Sequence, residues 1–182
     1  MCFVDGENVT IRGQAFAASC GLPLVEGPHF RKDTYLWLPG FTALSALLYG
    51  NQYGSSSIPV RQYYYTSQVG DEPALVATRE ALRALGFDPQ VFKKLSKSAK
   101  AKGVDLALAK DLLSHAFRGN YDVAFLFAGD ADYVPLLEEV KRLGKLACVC
   151  FFESEGLNPS LRMAADRFIP LDGAFQNAWA HG

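Results

Sequence analysis

The chain has 182 residues, of which 49% are hydrophobic and 20% charged, a composition that suits one compact domain rather than two large ones. A mainly disordered chain is therefore excluded. Lys and Arg together number 18 and Asp and Glu 19, so the formal net charge is -1. This balance excludes a strongly basic nucleic-acid coat, and any polyanion would have to be held by a local patch of charge.

The cysteines and apolar runs indicate the compartment. Cys2, Cys20, Cys148 and Cys150 form no Cys-x-x-Cys pair and lie in apolar sequence, so we expect buried free thiols in a reducing compartment. No apolar run approaches the roughly 20 residues that cross a bilayer, and Asp5 falls where a signal peptide would be apolar. We therefore expect a soluble, cytoplasmic protein with no membrane partner.

Apolar segments of strand length alternate with segments of helical periodicity along the chain. This alternation predicts an α/β fold with a mainly parallel central sheet flanked by helices. The predicted strands are residues 1–4, 58–66, 89–93, 122–127, 145–151 and 167–170. The predicted helices are residues 41–49, 72–85, 104–117, 132–143 and 159–165. Gly86, Gly119 and Gly144 each follow the last periodic residue of a helix, where a left-handed residue commonly ends it.

Two stretches interrupt the alternation. Residues 20–40 are rich in Gly and Pro and contain Phe30, Tyr35 and Trp37, which predicts a long ordered loop or insertion. The second stretch is rich in lysine, and its basic residues are Lys93, Lys94, Lys97, Lys100 and Lys102.

Carboxylates follow two of the predicted strands. Asp5 comes directly after the first, and Asp130 and Asp132 come shortly after the fourth. Because parallel strands end at one edge of a sheet, and open sheets bind ligands there, we expect these acids to lie together.

Asp105 begins a predicted helix. Leu108, Ala109, Leu112 and Ala116 follow it at helical spacing, so Asp105 heads a stripe that should face the sheet. We therefore expect its side chain to point inward, above the same edge.

Four carboxylates in one pocket would repel one another by about 4 kcal/mol per pair at 4 Å and an effective dielectric of 20. Mg²⁺ or Mn²⁺ would relieve this repulsion, since hard divalent ions take oxygen ligands and leave positions for phosphate oxygens. The pattern thus predicts a metal-dependent phosphoryl site. The alternative is that Asp130 or Asp132 caps a helix, Asp105 interacts with a helix dipole and Asp5 fixes a turn.

Three blocks of sequence, in their order and spacing, resemble the NYN domain, a branch of the PIN-like nucleases. The blocks are Phe3-Val4-Asp5-Gly6-Glu7-Asn8, Lys102-Gly103-Val104-Asp105 and Gly129-Asp130-Ala131-Asp132-Tyr133-Val134-Pro135-Leu136. Supporting matches are Arg61-Gln62-Tyr63-Tyr64-Tyr65, Leu161 and Ala165-Asp166-Arg167-Phe168. The likeness covers most of the chain.

The resemblance implies a three-layer PIN-like fold in a single domain, residues 1–182, and cleavage of RNA with Mg²⁺ or Mn²⁺. It implies that the metal ligands and catalytic acids are Asp5, Asp105, Asp130 and Asp132, with Asn8 as a catalytic polar helper and Asp111 in support. The sequence departs from the family pattern in Tyr133, where Phe is common, in Ala128, where Ser is common, and in an insertion at about residues 12–57.

The basic residues are candidates for binding substrate. The lysine-rich segment directly precedes Asp105, so Lys93, Lys94, Lys97, Lys100 and Lys102 could hold phosphates in a salt-dependent way. Arg12 and Arg61 are further candidates, and the alternatives are a solvated lysine loop and arginines that only pair with acids. His29, Arg31, Lys32, Tyr35 and Trp37 have a composition suited to single-stranded nucleic acid, although core packing is the preferred interpretation of Tyr35 and Trp37.

The sequence therefore predicts a metal-dependent ribonuclease that acts on single-stranded RNA, with a homodimer left open. One alternative is a noncatalytic RNA-binding or regulatory module with the same fold. The other is a Toprim-like DNA phosphoryl-transfer site, which would require Glu where this chain has Asp5.

Overall fold

The computed structural model describes residues 1–41, 61–96 and 103–179. Its strands are β1 (Cys2–Asp5), β2 (Phe30–Arg31), β3 (Tyr35–Leu36), β4 (Gln62–Val69), β5 (Asp88–Lys94), β6 (Val123–Phe127), β7 (Leu146–Phe151) and β8 (Arg167–Pro170). Its helices are α1 (Gly6–Ser19), α2 (Glu72–Ala84), α3 (Val104–Phe117), α4 (Val134–Arg142), α5 (Pro159–Ala164) and α6 (Asp172–Trp179).

Six strands form a parallel sheet in the order β5-β4-β1-β6-β7-β8. The predicted α/β fold with a parallel sheet flanked by helices is confirmed. The chain places β4 and β5 on one side of β1 and the later strands on the other, so the strand order reverses at β1. The crevice between the carboxyl ends of β1 and β6 is therefore a topological switch point, where open α/β sheets bind ligands.

The first helix begins directly at the end of β1. The Asp5 carboxylate accepts a hydrogen bond from the backbone N–H of Asn8, which caps the helix. A Cβ atom on Gly6 would lie 2.1 Å from the ring of Tyr64, so only glycine allows α1 to start this close to β4. Helix α3 begins after Gly103, whose φ of 94° favours glycine.

Two helices were not predicted from the sequence. Helix α6 is one, and α1 is the other, with residues 12–19 of the expected insertion continuing that helix. The buried side of α1 includes Thr10 and Gly13, so its apolar periodicity is weak. The predicted helix 41–49, apart from its first residue, and the first part of the predicted strand 58–66 lie outside the described residues.

Residues 20–41 are ordered around an antiparallel hairpin of β2 and β3. Phe30, Tyr35 and Trp37 are buried in the core, as the packing interpretation expected for Tyr35 and Trp37. All four cysteines are free, but Cys20 is exposed, which corrects the expectation that every thiol is buried, because it lies just past the end of α1. None of the helices in the described part of the chain has the length and apolar character to cross a membrane.

Candidate functional site

An open cavity of about 190 Å³ lies at the switch point and is called the acidic pocket below. Its described lining residues are Asp5, Glu7, Asn8, Ile11, Val104, Asp105 and Asp130. These residues come from the end of β1, the start of α1, the start of α3 and the loop after β6. The structure thus brings together three of the four predicted metal ligands and the predicted polar helper.

Asp5 is the buried carboxylate of the pocket, with 4% of its surface exposed. Its Oδ1 accepts from Asn8 N at 3.0 Å and its Oδ2 from Tyr133 Oη at 2.8 Å. Burial raises the pKa of Asp5 to about 7, and the charges of Asp105 and Asp130 raise it too, against the lowering effect of the two hydrogen bonds. A charged Asp5 is therefore costly unless a cation faces it.

Asn8 joins the loops that follow β1 and β6. Its Nδ2 donates to Asp130 Oδ2 at 2.8 Å, and its Oδ1 accepts from Gly129 N at 3.0 Å. A Cβ atom on Gly129 would lie 2.3 Å from the Phe151 ring and 2.7 Å from the backbone oxygen of Gly156, so this turn requires glycine. The amide of Asn8 thereby fixes the position of Asp130 relative to Asp5.

Asp105 lies at the open side of the pocket. The buried stripe of α3 consists of Val104, Leu108, Leu112 and Ala116, so Val104 heads it and Asp105 is exposed. This corrects the expectation of an inward-pointing side chain, because the stripe repeats every four residues from Val104. Asp105 still lines the pocket, and its Oδ1 lies 3.4 Å from Tyr133 Oη.

Two other predicted acids lie elsewhere. Asp132 is exposed in the 3₁₀ turn before α4 and is not among the described residues that line the acidic pocket, so its role as a metal ligand stays a prediction. Asp111 accepts a hydrogen bond of 3.0 Å from Tyr65 Oη and pairs with Lys110. Asp111 comes six residues after Asp105, so the two side chains lie on different sides of α3.

The predicted substrate-binding residues are dispersed. Lys94 pairs with Glu7 at 2.8 Å, and only 9% of the Lys94 side chain is exposed. Lys93, the preceding residue of β5, is exposed. Arg12 pairs with Glu155 at 3.4 Å, which agrees with the alternative interpretation that this arginine pairs with an acid. Lys97, Lys100 and Lys102 lie outside the described residues.

Arg61 lies at the opposite edge of the sheet from the acids. It precedes β4, whose first residue, Gln62, is in register with Cys2 at the start of β1. A substrate contact by Arg61 would therefore lie far from the acidic pocket, since Asp5 stands at the other end of β1.

Sequence reasoning missed two residues of the site. Glu7 lines the pocket, and its carboxylate is held by Lys94 Nζ and by Ser67 Oγ, each at 2.8 Å. Tyr133 was noted only as a departure from Phe, yet its hydroxyl lies at two of the carboxylates. A phenol that replaces a phenyl ring next to an acidic motif was the available signal for Tyr133.

The donor set fits a hard divalent cation. Carboxylate oxygens of Asp5, Asp105 and Asp130 and the amide of Asn8 line one pocket, and no cationic side chain is among its described lining residues. In residues 1–41, 61–96 and 103–179, no three Asp, Glu, His or Cys side chains form a group that could hold a metal ion by themselves. Mg²⁺ is commonly held by one or two carboxylates together with waters and substrate phosphates, so the ligand role of these acids is a proposal.

The chain is similar to a known protein family in sequence and to solved structures in fold. The sequence model of the NYN domain matches residues 1–172. A protein of unknown function from Vibrio parahaemolyticus has a similar crystal structure, with a TM-score of 0.61, 18% sequence identity and coverage of 96% of this chain and 93% of that chain. At this identity the likeness concerns the fold alone. No functionally curated protein has a significant sequence match.

Proposed function

The chain belongs to the NYN domain family of PIN-like nucleases, and we propose that it is a Mg²⁺- or Mn²⁺-dependent ribonuclease that hydrolyses phosphodiester bonds of single-stranded RNA in the acidic pocket. One observation carries the proposal: a carboxylate that is 4% exposed, Asp5, lies at the switch point beside Asp105 and Asp130 with its pKa raised to about 7. Carboxylates with strongly perturbed pKa values in a cleft are concentrated at functional sites, and a bound cation would offset the cost of ionising this one.

Asp5, Asp105 and Asp130 would hold the ion. When bound, the ion would supply Lewis-acid chemistry, lowering the pKa of a water and stabilising the leaving oxygen of the phosphodiester. Asp132 is exposed outside the pocket and is left without a ligand role in this proposal.

The remaining residues orient the carboxylates. The Tyr133 hydroxyl donates to Asp5 Oδ2, and the Asn8 amide donates to Asp130 Oδ2, so a neighbouring side chain positions each of these two acids. Asp5 Oδ1 is also engaged, by the helix N-terminus. Asp130 and Asp105 therefore have more freedom to contact water or substrate, and an ionised carboxylate among them would accept the proton of the attacking water.

The test is cleavage of a labelled single-stranded RNA by the Asp130→Asn variant in Mn²⁺. We expect cleavage to be abolished while the circular dichroism spectrum and melting temperature stay near those of the natural chain. Asp88→Asn is the matched control, because Asp88 is an exposed acid at the first residue of β5, on the opposite edge of the sheet. Full activity of Asp130→Asn would overturn the proposal.

The same assay separates the two alternatives. RNA binding of equal strength with and without divalent ions, with no cleavage over hours, would identify a noncatalytic module. Cleavage of DNA but not RNA would identify a Toprim-like activity. In the structure, Asp5 stands at the end of β1, and the nearby Glu7 is engaged by Lys94 and Ser67.

A further inference from the structure

A second cavity, of about 410 Å³, adjoins the acidic pocket and is called the hairpin cavity. Glu7 and Ile11 line both cavities. The hairpin cavity lies between the β2–β3 hairpin, which contributes residues 31–34, and the carboxyl ends of β4 and β5. Its volume is within the range of pockets that hold small organic ligands and suits one nucleotide.

The partition between the cavities is a fixed ion pair. Lys94 Nζ and Ser67 Oγ each lie 2.8 Å from a different oxygen of the Glu7 carboxylate. Because the Lys94 ammonium neutralises the Glu7 carboxylate and the Lys94 side chain is 9% exposed, Glu7 is a structural partition between the cavities rather than a ligand for a cation.

The two cavities carry opposite charge. Among the described lining residues, the acidic pocket has four carboxylates and no cation, whereas the hairpin cavity has three cations, Arg31, Lys32 and Lys94, against two carboxylates. Arg31 and Lys32 are exposed, and neither forms a salt bridge with another described residue. Both are therefore available to a phosphate.

The inner wall of the hairpin cavity is polar although it is buried. Thr66, Ser67 and Gln68 at the end of β4 are 1%, 2% and 8% exposed. Thr78 donates to Gln68 Oε1 at 2.6 Å, which fixes that side chain in the wall. The Thr66 and Ser67 hydroxyls already donate to Thr34 O and Glu7 Oε2, so towards a sugar hydroxyl or a base edge they can act only as acceptors. Ile11 and Val69 supply apolar contact.

We propose that the hairpin cavity binds the nucleotide next to the scissile phosphodiester, with its phosphate at Arg31 and Lys32. A strand that crosses the Glu7 partition would have one phosphate in each cavity. This proposal rests on the proposed function, because a bond is cleaved in the acidic pocket only if the protein is a nuclease. Its occupant is a nucleotide within a strand rather than a free mononucleotide.

The first test is binding of a labelled eight-nucleotide single-stranded RNA, measured by fluorescence anisotropy in the Asp130→Asn background. We expect Arg31→Ala/Lys32→Ala to weaken binding at least tenfold and to reduce the slope of log affinity against log salt by about 0.7 to 1.4, the value for one or two lost phosphate contacts. Arg83→Ala/Arg118→Ala is the matched control, because both arginines are exposed at the amino edge of the sheet, Arg83 in the last turn of α2 and Arg118 directly after α3.

The second test fills the cavity without changing charge. Val69 lines the cavity and is 42% exposed, whereas Val76 is 40% exposed on α2 and is not among the described lining residues. We expect Val69→Phe to weaken binding of the eight-nucleotide RNA several-fold and Val76→Phe to leave it unchanged, with both variants folded by circular dichroism.

The outcomes separate this proposal from the proposed function. If Arg31→Ala/Lys32→Ala binds RNA as tightly as the control Arg83→Ala/Arg118→Ala, the subsite is overturned even if the protein cleaves RNA. A mononucleotide that binds as tightly as the eight-nucleotide RNA would also overturn it. Selective weakening by the Arg31 and Lys32 substitutions in a protein that cleaves no RNA would support the subsite while the proposed function fails.

Discussion

The hydroxyl group of Tyr133 donates a hydrogen bond of 2.8 Å to Oδ2 of the buried Asp5. The hydroxyl oxygen of Tyr133 also lies 3.4 Å from Asp105 Oδ1, so this phenol stands between two carboxylates of the acidic pocket. Burial and then the charge of Asp5 raise the pKa of Tyr133, so this hydroxyl keeps its proton and acts as a donor. The first prediction concerns this bond.

Tyr133→Phe should leave the fold intact, because the ring is buried and only the hydroxyl is lost. The hydrogen bond from Tyr133 lowers the pKa of Asp5, so its removal should raise that pKa. The acid limb of the kcat/KM profile should then move to higher pH, by about 0.5 to 1 unit for a bond of roughly 1 kcal/mol. Tyr121→Phe is the control, since Tyr121 donates to a backbone oxygen of α3. An unchanged profile would show that the bond has no electrostatic role.

Asp5→Asn should stabilise the metal-free protein at alkaline pH. The folded-state pKa of about 7 lies above the ordinary value of 3.8, so the folded chain binds the extra proton and loses stability as pH rises from about 4 to 7. The variant avoids this loss. Denaturant unfolding in EDTA should give a gain of up to about 4 kcal/mol at pH 8, from roughly 1.4 kcal/mol per unit, and little difference near pH 4.

Addition of Mn²⁺ provides the internal control for the Asp5 experiment. The natural chain should gain stability because the ion binds the folded state alone, and Asp5→Asn should gain much less. A natural chain that is indifferent to Mn²⁺ at pH 8 would contradict the assignment of Asp5 as a ligand.

Asn8→Ala should remove the side-chain hydrogen bonds that join the residues after β1 to the loop after β6. It leaves Gly129 N and Asp130 Oδ2 without their side-chain partner, at a cost of about 1 to 3 kcal/mol in the free energy of unfolding. Asn8→Asp keeps the acceptor but faces Asp130 with a second carboxylate, so its metal-free form should be less stable at pH 8 than at pH 5. Asn120→Ala is the control, as its amide contacts only His115 among the bonds of the described chain. Equal stability of Asn8→Ala and the natural chain would contradict the bridging role.

Gly129→Ala should destabilise the fold and lower activity together. The added Cβ meets the backbone oxygen of Gly156, which cannot move as a flexible side chain would, and overpacking of this kind typically costs about 1 to 3 kcal/mol. Gly173→Ala is the control, because a Cβ there would come within 4 Å of no described residue apart from its chain neighbours and the backbone of its own helix. Thermal melting of both variants checks the prediction, and similar melting temperatures would contradict it.

Local pattern was sufficient for much of the architecture. Helices α2 to α5 and the strands from β5 onward fall on the segments that apolar periodicity predicted, because each buries one regular stripe or a continuous run. Helix α1 was missed because its buried side contains Thr10 and Gly13, and α6 was missed as a short helix near the end of the chain. The single-domain organisation stays a prediction.

The sequence by itself determined that Asp5 and Asp130 line the same pocket, since parallel strands end at one edge and both acids follow strands. Only the tertiary structure decided that Asp132 lies outside the pocket, that Arg61 stands at the far edge and that Glu7 is bound by Lys94. Whether an acid directly follows a strand can be read from the neighbouring residues in the sequence. Strand register and side-chain pairing depend on contacts between residues far apart in the chain, and the folded core alone sets them.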